Sequence, residues 1–598
     1  MIIKPMKEFI TLKGFFLQHK RRYLWGVLWL LGADSLQLVT PRLLGLFTDT
    51  LLVEQPNILQ LRTYILIILL LALGIAVFRY MWRIYIIGAS RMLEKYLRDK
   101  LFMHLQYLSP RFYLQHRTGE LMAHLTNDIT AVRTSLGLSV ALMVDAVFLT
   151  IVALVLMLFT VDIRLTLLAL IPMPLLALAS QRLGLKVYAH FLKVQESFGQ
   201  LTTAAQENIT AMRVVQSFTL EDVERQRFRD TSRAYMERNF NLYKFWGLYD
   251  PLIYISGMIS FVIVIIYGGN LVIQGEISIG DFVAFNGYLG LLTWPMLALG
   301  WVVNITQRGR ASMERINRLL ETRSEVSDDQ ETRGKDIEPF EPPGRGAENA
   351  ASGDIAFKDV SFRYDRLQQP VLDRLTFTIP RGCMTVIAGR TGSGKTTLLS
   401  LLLRFFEPDE GAIFAGTCNL REIPLSWWRK RIGYVPQDNF IFSTTLAENI
   451  AFANPDATME EIRRAAALAV LDREVEGFPN GYDTAVGERG VTLSGGQQQR
   501  LSLARAILAK PEYLVLDDAL SSVDMSTEEQ ILKNLSGPDF QSTMIVVSHR
   551  LKVFESADKI LVLEGGRLVE EGDHPALIEK KGLYHRLCED QYWDEMMG

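Results

Sequence analysis

Cysteine is nearly absent from this sequence. Its 598 residues hold three, Cys383, Cys418 and Cys588, all in the C-terminal half and none at metal-ligand spacing. Number and spacing exclude a disulfide framework. A reduced, cytosolic setting suits that half. A large charge of one sign is also missing. The formal net charge of −3 gives no pull toward nucleic acid, which is not expected as a partner, or toward an acidic membrane surface. The first seven residues, Met1 to Lys7, lack a short apolar core followed by a small-residue cleavage site, so no cleaved leader is expected. Hydrophobic content, at 49%, is ordinary. Its distribution is not, because long apolar runs crowd into the chain before about residue 305.

Six of these runs are long enough to cross a bilayer, near 23–52, 62–87, 136–160, 163–181, 246–273 and 279–305. A span needs about 20 mostly apolar residues. The run from Tyr64 to Leu73 and the one around Val144 are strong, whereas Asp34, Gln37, Pro41 and Arg42 interrupt the first. Such groups belong against protein or a wet cavity rather than lipid. Asp145 invites the same reading, either on a substrate path or paired with a base such as Arg79. Trp25, Trp29, Tyr288 and Trp294 fit a drug cavity, interfacial anchors or helix packing. Ahead of the first run, Phe9, Leu12, Phe16 and Leu17 alternate with Lys7, Lys13 and Lys20, which suggests an amphipathic helix on the membrane surface.

The connections alternate in length. Those at 53–61, 161–163 and 274–278 are short, while 88–135 and 182–245 are long, helical in pattern and basic. Arg91, Lys95, Arg98, Lys100 and Arg111 lie in one; Arg213, Arg225, Arg227, Arg229 and Arg233 lie in the other. The excess of positive charge puts these loops, and with them both termini, in the cytoplasm. Residues 321–353 then turn polar, with Asp328-Asp329-Gln330-Glu331 and Pro342-Pro343-Gly344, as in a linker. Strands and helices alternate from there to the end. The expected organisation is a membrane domain of six α-helices over 1–320, a linker over 321–353 and an α/β nucleotide-binding domain over 354–598.

The last domain carries the chemistry. Gly389-Arg390-Thr391-Gly392-Ser393-Gly394-Lys395-Thr396 follows an apolar strand and opens a helix through Thr397 and Leu398, which is the context of a P-loop. Its backbone N–H groups can wrap phosphate oxygens at a helix N-terminus. Lys395 is expected on the β- and γ-phosphates of ATP and Thr396 on Mg²⁺. The run Tyr513 to Leu516 ends in Asp517 and Asp518. Asp517 would meet the metal shell, and Asp518 would act as base or water-positioner.

Leu493-Ser494-Gly495-Gly496-Gln497, followed by Gln498-Gln499-Arg500, resembles the signature of ATP-binding cassette proteins. Other elements of that family resemble residues of this chain. Gln437 is similar to the Q-loop glutamine, which also reaches the Mg²⁺. Ser521-Ser522-Val523-Asp524 is similar to the D-loop, His549 to the switch histidine and Tyr364 to the aromatic that stacks on adenine. Gly487-Glu488-Arg489-Gly490 resembles an exporter X-loop. Pro110–Glu120 and Glu207–Val215 resemble coupling helices. The order of six helices and then a cassette resembles type IV exporter half-transporters of the bacterial multidrug class, over nearly the whole chain.

That resemblance implies ATP hydrolysis coupled to export of an amphipathic small molecule or lipid-like compound through a cell membrane, with membrane lipids around the spans. It also implies a second half-transporter, because Leu493, Ser494, Gly495, Gly496, Gln497 and Asp524 of one cassette complete the ATP site of the other. One residue departs from the family pattern. Asp518 stands where glutamate is usual, shorter by one methylene or about 1 Å in reach, and a misplacement of that size costs about 100-fold in rate. An altered acid beside an intact signature resembles the degenerate-site subunit of a heterodimeric exporter. A homodimer with Asp518 as working acid, and an exporter dedicated to lipid or peptide, stay open beside it.

Overall fold

The computed structural model describes residues 7–54, 56–326, 328, 353–365, 369–487, 492–538 and 540–589. The chain forms two compact units. One holds the residues up to Phe102 together with Gly119–Glu321; the other holds Met103–Thr118 and everything after Thr322.

Helices build the first unit. They are α1 (Lys13–Leu51), α2 (Ile58–Trp82), α3 (Gly88–Tyr107), α4 (Pro110–Gln115), α5 (Thr118–Ala123), α6 (Ile129–Leu136), α7 (Leu138–Thr160) and α8 (Ile163–Leu170), with α4 belonging to the second unit. They continue as α9 (Pro172–Thr210), α10 (Met212–Ser217), α11 (Glu221–Trp246), α12 (Tyr249–Ile263), α13 (Gly269–Ile273) and α14 (Ile279–Glu321). Wide π-turns at Arg83–Ile87, His124–Asp128 and Val264–Gly268 join neighbouring helices without breaking their course. All six expected runs fall on helix. Among the described residues two stretches, Ile58–Tyr107 and Thr118–Phe159, are long and apolar enough to cross a membrane, and Met258–Ile273 and Ile279–Leu292 are shorter apolar pieces. Helix α2 is apolar all round yet buries no residue, the pattern of a helix that meets lipid.

The N-terminal segment is helical and continuous with the first long helix. It is a 3₁₀ turn, Lys7–Leu12, that runs straight into α1. Phe9 and Leu12 are buried, Glu8 accepts from Arg310 at 2.6 Å, and Asn317 donates to the Glu8 carbonyl at 2.7 Å, so the segment is pinned to α14. Asp145 neighbours the buried Asp34, and Arg79, which donates to Gln37 at 2.7 Å, acts on both acids through its charge. Tyr288 is core, and Trp294 stands edge-on to Trp301 at 5.6 Å.

The second unit is a cassette of two sheets. Strands β1 (Ile355–Phe362), β2 (Leu372–Ile379), β4 (Glu410–Ala415) and β5 (Cys418–Asn419) form an antiparallel sheet in the order β2-β1-β4-β5. Strands β3 (Met384–Gly389), β6 (Ile432–Val435), β7 (Tyr513–Asp517), β8 (Thr543–Val547), β9 (Lys559–Glu564) and β10 (Arg567–Gly572) form the other, in the order β10-β9-β3-β8-β7-β6. All its pairs are parallel except β9 with β10. Strands β3, β7 and β8 are buried at every position, as expected of a parallel sheet covered on both faces. The covering helices are α15 (Lys395–Leu402), α16 (Leu425–Arg429), α17 (Leu446–Ala451), α18 (Met459–Leu468), α19 (Asp472–Val475), α20 (Gly495–Leu508), α21 (Met525–Leu535), α22 (Leu551–Glu555) and α23 (His574–Glu579). Within the same unit, Arg111 of α4 pairs with Glu325 at 3.2 Å and lies over the Phe406 ring.

Candidate functional site

Parallel strands bring their carboxyl ends to one edge of a sheet, and ligands of open α/β sheets bind there. Strand β3 ends there in Gly389, β7 in Asp517, β8 in Val547 two residues before His549, and β6 in Val435 two residues before Gln437. Motifs scattered over 160 residues of sequence thus arrive along one line.

Gly389 has φ +149°, and a Cβ there would collide with the Leu563 carbonyl, so the turn out of β3 needs glycine. Arg390, Thr391 and Gly392 are exposed, Ser393 is buried, and Gly394 at φ +100° opens α15. The free N–H groups of the first turn of α15 form an anion seat. Lys395 is 8% exposed and donates from Nζ to the carbonyls of Gly389 at 2.7 Å and Arg390 at 3.0 Å. Burial lowers its pKa, against the opposing pull of Asp518 and Asp517.

Thr396 Oγ1 donates to Asp517 Oδ1 at 3.2 Å, and the buried Asp517 Oδ2 has no partner. A hydroxyl beside an orphaned carboxylate oxygen is a donor set that suits a hard cation such as Mg²⁺. Burial pushes the Asp517 carboxyl up from its usual range, with the Thr396 hydrogen bond opposing. Thr397 shares a hydrogen bond with the Tyr364 hydroxyl at 3.1 Å, and Phe362 and Phe406 meet the Tyr364 ring edge-on.

Asp518 occupies the left-handed region at φ +49°, a conformation aspartate tolerates, and its N–H donates to the Val547 carbonyl at 3.0 Å. Burial raises its pKa, opposed by the charges of His549, Lys395 and Arg550. Burial lowers the pKa of His549, and Lys395 repels its proton while Asp518 attracts it. The Asp518 carboxylate, the Lys395 ammonium and the His549 imidazole therefore share one electrostatic neighbourhood. Gln437 lies at the same edge with its side chain exposed.

The signature stands apart. Ser494 caps α20: its hydroxyl accepts from the Gln497 N–H at 3.3 Å, and Gln497 Oε1 accepts from the Ser494 N–H at 2.9 Å. This is a capping box, a second reason for serine and glutamine at that spacing. Leu493 is buried beneath it, and Gly495 and Gly496 face Ser522. Asp524 caps α21 through the Thr527 N–H at 2.9 Å. The Ser526 hydroxyl and that amide hold its carboxyl well below the usual range. No hydrogen bond or ion pair joins Leu493–Gln497 to Gly389–Thr397 among the described residues. Glu488, Arg489 and Gly490 lie outside the described residues.

Two partners of the Asp518 turn, Gln499 and Arg550, had no role assigned from the sequence. Both touch Ser521. No spacing rule marks them.

A unit of long apolar helices joined in one chain to a phosphate-binding α/β cassette defines an ATP-driven membrane transporter. Family models agree: residues 24–296 match the ABC transporter transmembrane region and 372–521 match the ABC transporter model. The chain is 37% identical to the probable multidrug resistance ABC transporter ATP-binding/permease protein YheI of Bacillus subtilis (strain 168), over 96% of each. It is 38% identical to the multidrug resistance-like ATP-binding protein MdlA of Escherichia coli (strain K12), over 97% of this chain and 96% of that one. A solved bacterial Atm1-family ABC exporter with ATP bound superposes with a TM-score of 0.77 at 27% identity, covering 96% of this chain and 98% of that one. The chain belongs to the ABC transporter family: it is a membrane protein that binds ATP and couples its hydrolysis to transport.

Proposed function

We propose that this chain is one subunit of a heterodimeric multidrug exporter and that its own ATP site is the slower of two. It moves amphipathic drugs or lipid-like compounds out of the cytoplasm across the cell membrane, with both termini and the cassette inside. The observation that carries this reading is Asp518 beside an intact signature, Leu493–Gln497. Multidrug resistance in the names of two relatives that match almost end to end supports the substrate class.

In this reading Tyr364 stacks on adenine, Gly389–Thr397 wrap the phosphates, and Lys395 neutralises them. Thr396, Asp517 and Gln437 hold Mg²⁺, which when bound offsets charge on the phosphate oxygens. Leu493–Gln497 and Asp524 serve the partner's ATP site. Two bound ATP molecules draw the cassettes together, Pro110–Glu120 and Glu207–Val215 carry that closure to the membrane helices, and hydrolysis resets them.

One observation favours a second reading, a homodimer. Asp518 keeps His549 and Lys395 as electrostatic neighbours, and burial raises its pKa as a working base requires. Co-purification separates the two. Tagged chain expressed from its native locus should bring down a second, different half-transporter. Recovery of this chain alone, with full transport activity, overturns the heterodimer.

A further inference from the structure

One buried side chain ties the signature helix to the turn that carries Asp518. Gln499 lies one turn into α20 and is 4% exposed. Both ends of its amide are committed. Nε2 donates to Ser521 Oγ at 3.0 Å, and Oε1 accepts from the Ser522 N–H at 2.9 Å. The Ser521 hydroxyl donates to the Asp518 carbonyl at 3.0 Å. A hydroxyl has one proton to give, so the chain of bonds runs one way, from the Gln499 amide through Ser521 to Asp518. Arg550 grips the same turn from the far side. Its guanidinium donates to the Ser521 carbonyl at 2.8 Å and to Glu528 at 2.7 Å.

Space leaves no slack between these parts. A Cβ at Gly496 would come within 2.8 Å of the Ser522 carbonyl oxygen, and one at Gly495 within 3.4 Å of the Ser522 side chain. Leu501, Leu503 and Ala504 on the same helix are buried, so a leucine at 499 would satisfy packing. An amide there adds direction: it fixes one register between helix and turn, because a slip leaves the buried Gln499 amide without its partners.

We infer that Gln499 is a positioning residue that locks the Asp518 turn to the start of the signature helix, so that the two motifs move as one body. The inference rests on the reading that Leu493–Gln497 completes an ATP site in a partner cassette. When that site closes on Ser494–Gly496, the shift passes through Gln499 and Ser521 to Asp518 in this chain's own site. Hydrolysis at the two sites becomes interdependent, and Gln499 sets how strongly.

The test uses the full-length transporter in its native assembly, reconstituted in lipid, with steady-state ATPase measured over ATP concentration. Gln499→Leu frees the start of the signature helix that completes the partner's faster site, so it should lower kcat about tenfold, leave KM for ATP within about threefold, and bring the Hill coefficient toward 1. Ser521→Ala, at an exposed position, should lower kcat to the same level without changing the melting temperature. The double variant should be no slower than either single one, because all three break one chain. Ser521→Thr keeps the hydroxyl and should stay near the parent. Loss of kcat and melting temperature in Gln499→Leu with a normal Ser521→Ala, additive losses, or an unchanged Hill coefficient each overturn the inference. Gly495→Asp, run in parallel, should abolish turnover by placing charge near the partner's γ-phosphate. If it is silent, the reading of the signature fails and the inference with it. If it abolishes turnover while Gln499→Leu and Ser521→Ala are normal, only the inference fails.

Discussion

Lys395 and Gly496 show two ways a residue type becomes obligatory. In the proposed reading Lys395 supplies the cation of the phosphate seat, and its ammonium is held by the Gly389 and Arg390 carbonyls. Lys395→Ala should weaken binding of a fluorescent ATP analogue to the full-length protein by about tenfold or more, since a charge-assisted bond is worth about 1.5–3 kcal/mol. Unchanged binding would remove Lys395 from the site. Gly496 is fixed by space inside the chain, where the Ser522 carbonyl leaves no room for a Cβ. Gly495 has ordinary contact distance at the same place. Gly496→Ala should therefore lower the melting temperature of the protein, and Gly495→Ala should not. Equal effects would mean that the close approach to Ser522 has no cost. The candidate phosphate-site residues could be picked out in the sequence because phosphate chemistry demands certain types at fixed spacing. Gln499 could not, because a buried glutamine obeys no spacing rule and is read only from its partners.

Helices and strands were legible to the degree that their polarity alternates with their surroundings. The membrane runs declare themselves by apolar length, and the helices go on past the apolar residues, α9 to Thr210 and α14 to Glu321. The π-turns carry no compositional mark, and the sheet order follows from packing that no local pattern encodes. The tie between elements at Asp128 was also invisible. Asp128 sits in the π-turn before α6 and accepts from Ser312 at 2.8 Å and from Arg315 Nε at 3.0 Å, both on α14, while His124 approaches at 2.7 Å. Burial would raise its carboxyl pKa, but the hydrogen bonds from Arg315, His124 and Ser312 outweigh it and hold the pKa below its ordinary value. A carboxyl with a depressed folded-state pKa stabilises the fold fully above its unfolded value of about 3.9 and loses that contribution as pH falls through the folded value. Asp128→Asn should cost about 1–2 kcal/mol at pH 7, discounted because Arg315 is half exposed, and should flatten the acid limb of the melting curve below about pH 4. Melting midpoints at pH 7 and along that limb check both statements, and a variant that follows the parent at every pH would leave Asp128 without a stabilising part.

At the scale of the whole molecule, the separation of the signature from the phosphate seat within one chain is the decisive feature. In the proposed reading a site split in this way is finished by a second cassette, so the identity of the second cassette decides what Asp518 must do. Two copies of this chain would present two Asp518 sites, whereas a different partner could bring its own acid to the site built with Leu493–Gln497 of this chain. The single chain, purified and reconstituted, should then hydrolyse ATP poorly, and the co-expressed pair should be faster by about 100-fold if a 1 Å shortfall in reach is the cause. In the pair, Asp518→Ala should change total turnover little, because the slow site contributes little to it. The corresponding acid of the partner should matter far more. Asp518→Glu should raise turnover at this chain's site if the partner's signature can donate to the γ-phosphate, and should do little if it cannot. Brisk hydrolysis by the single chain, abolished by Asp518→Ala, would make Asp518 a competent acid and the transporter a homodimer.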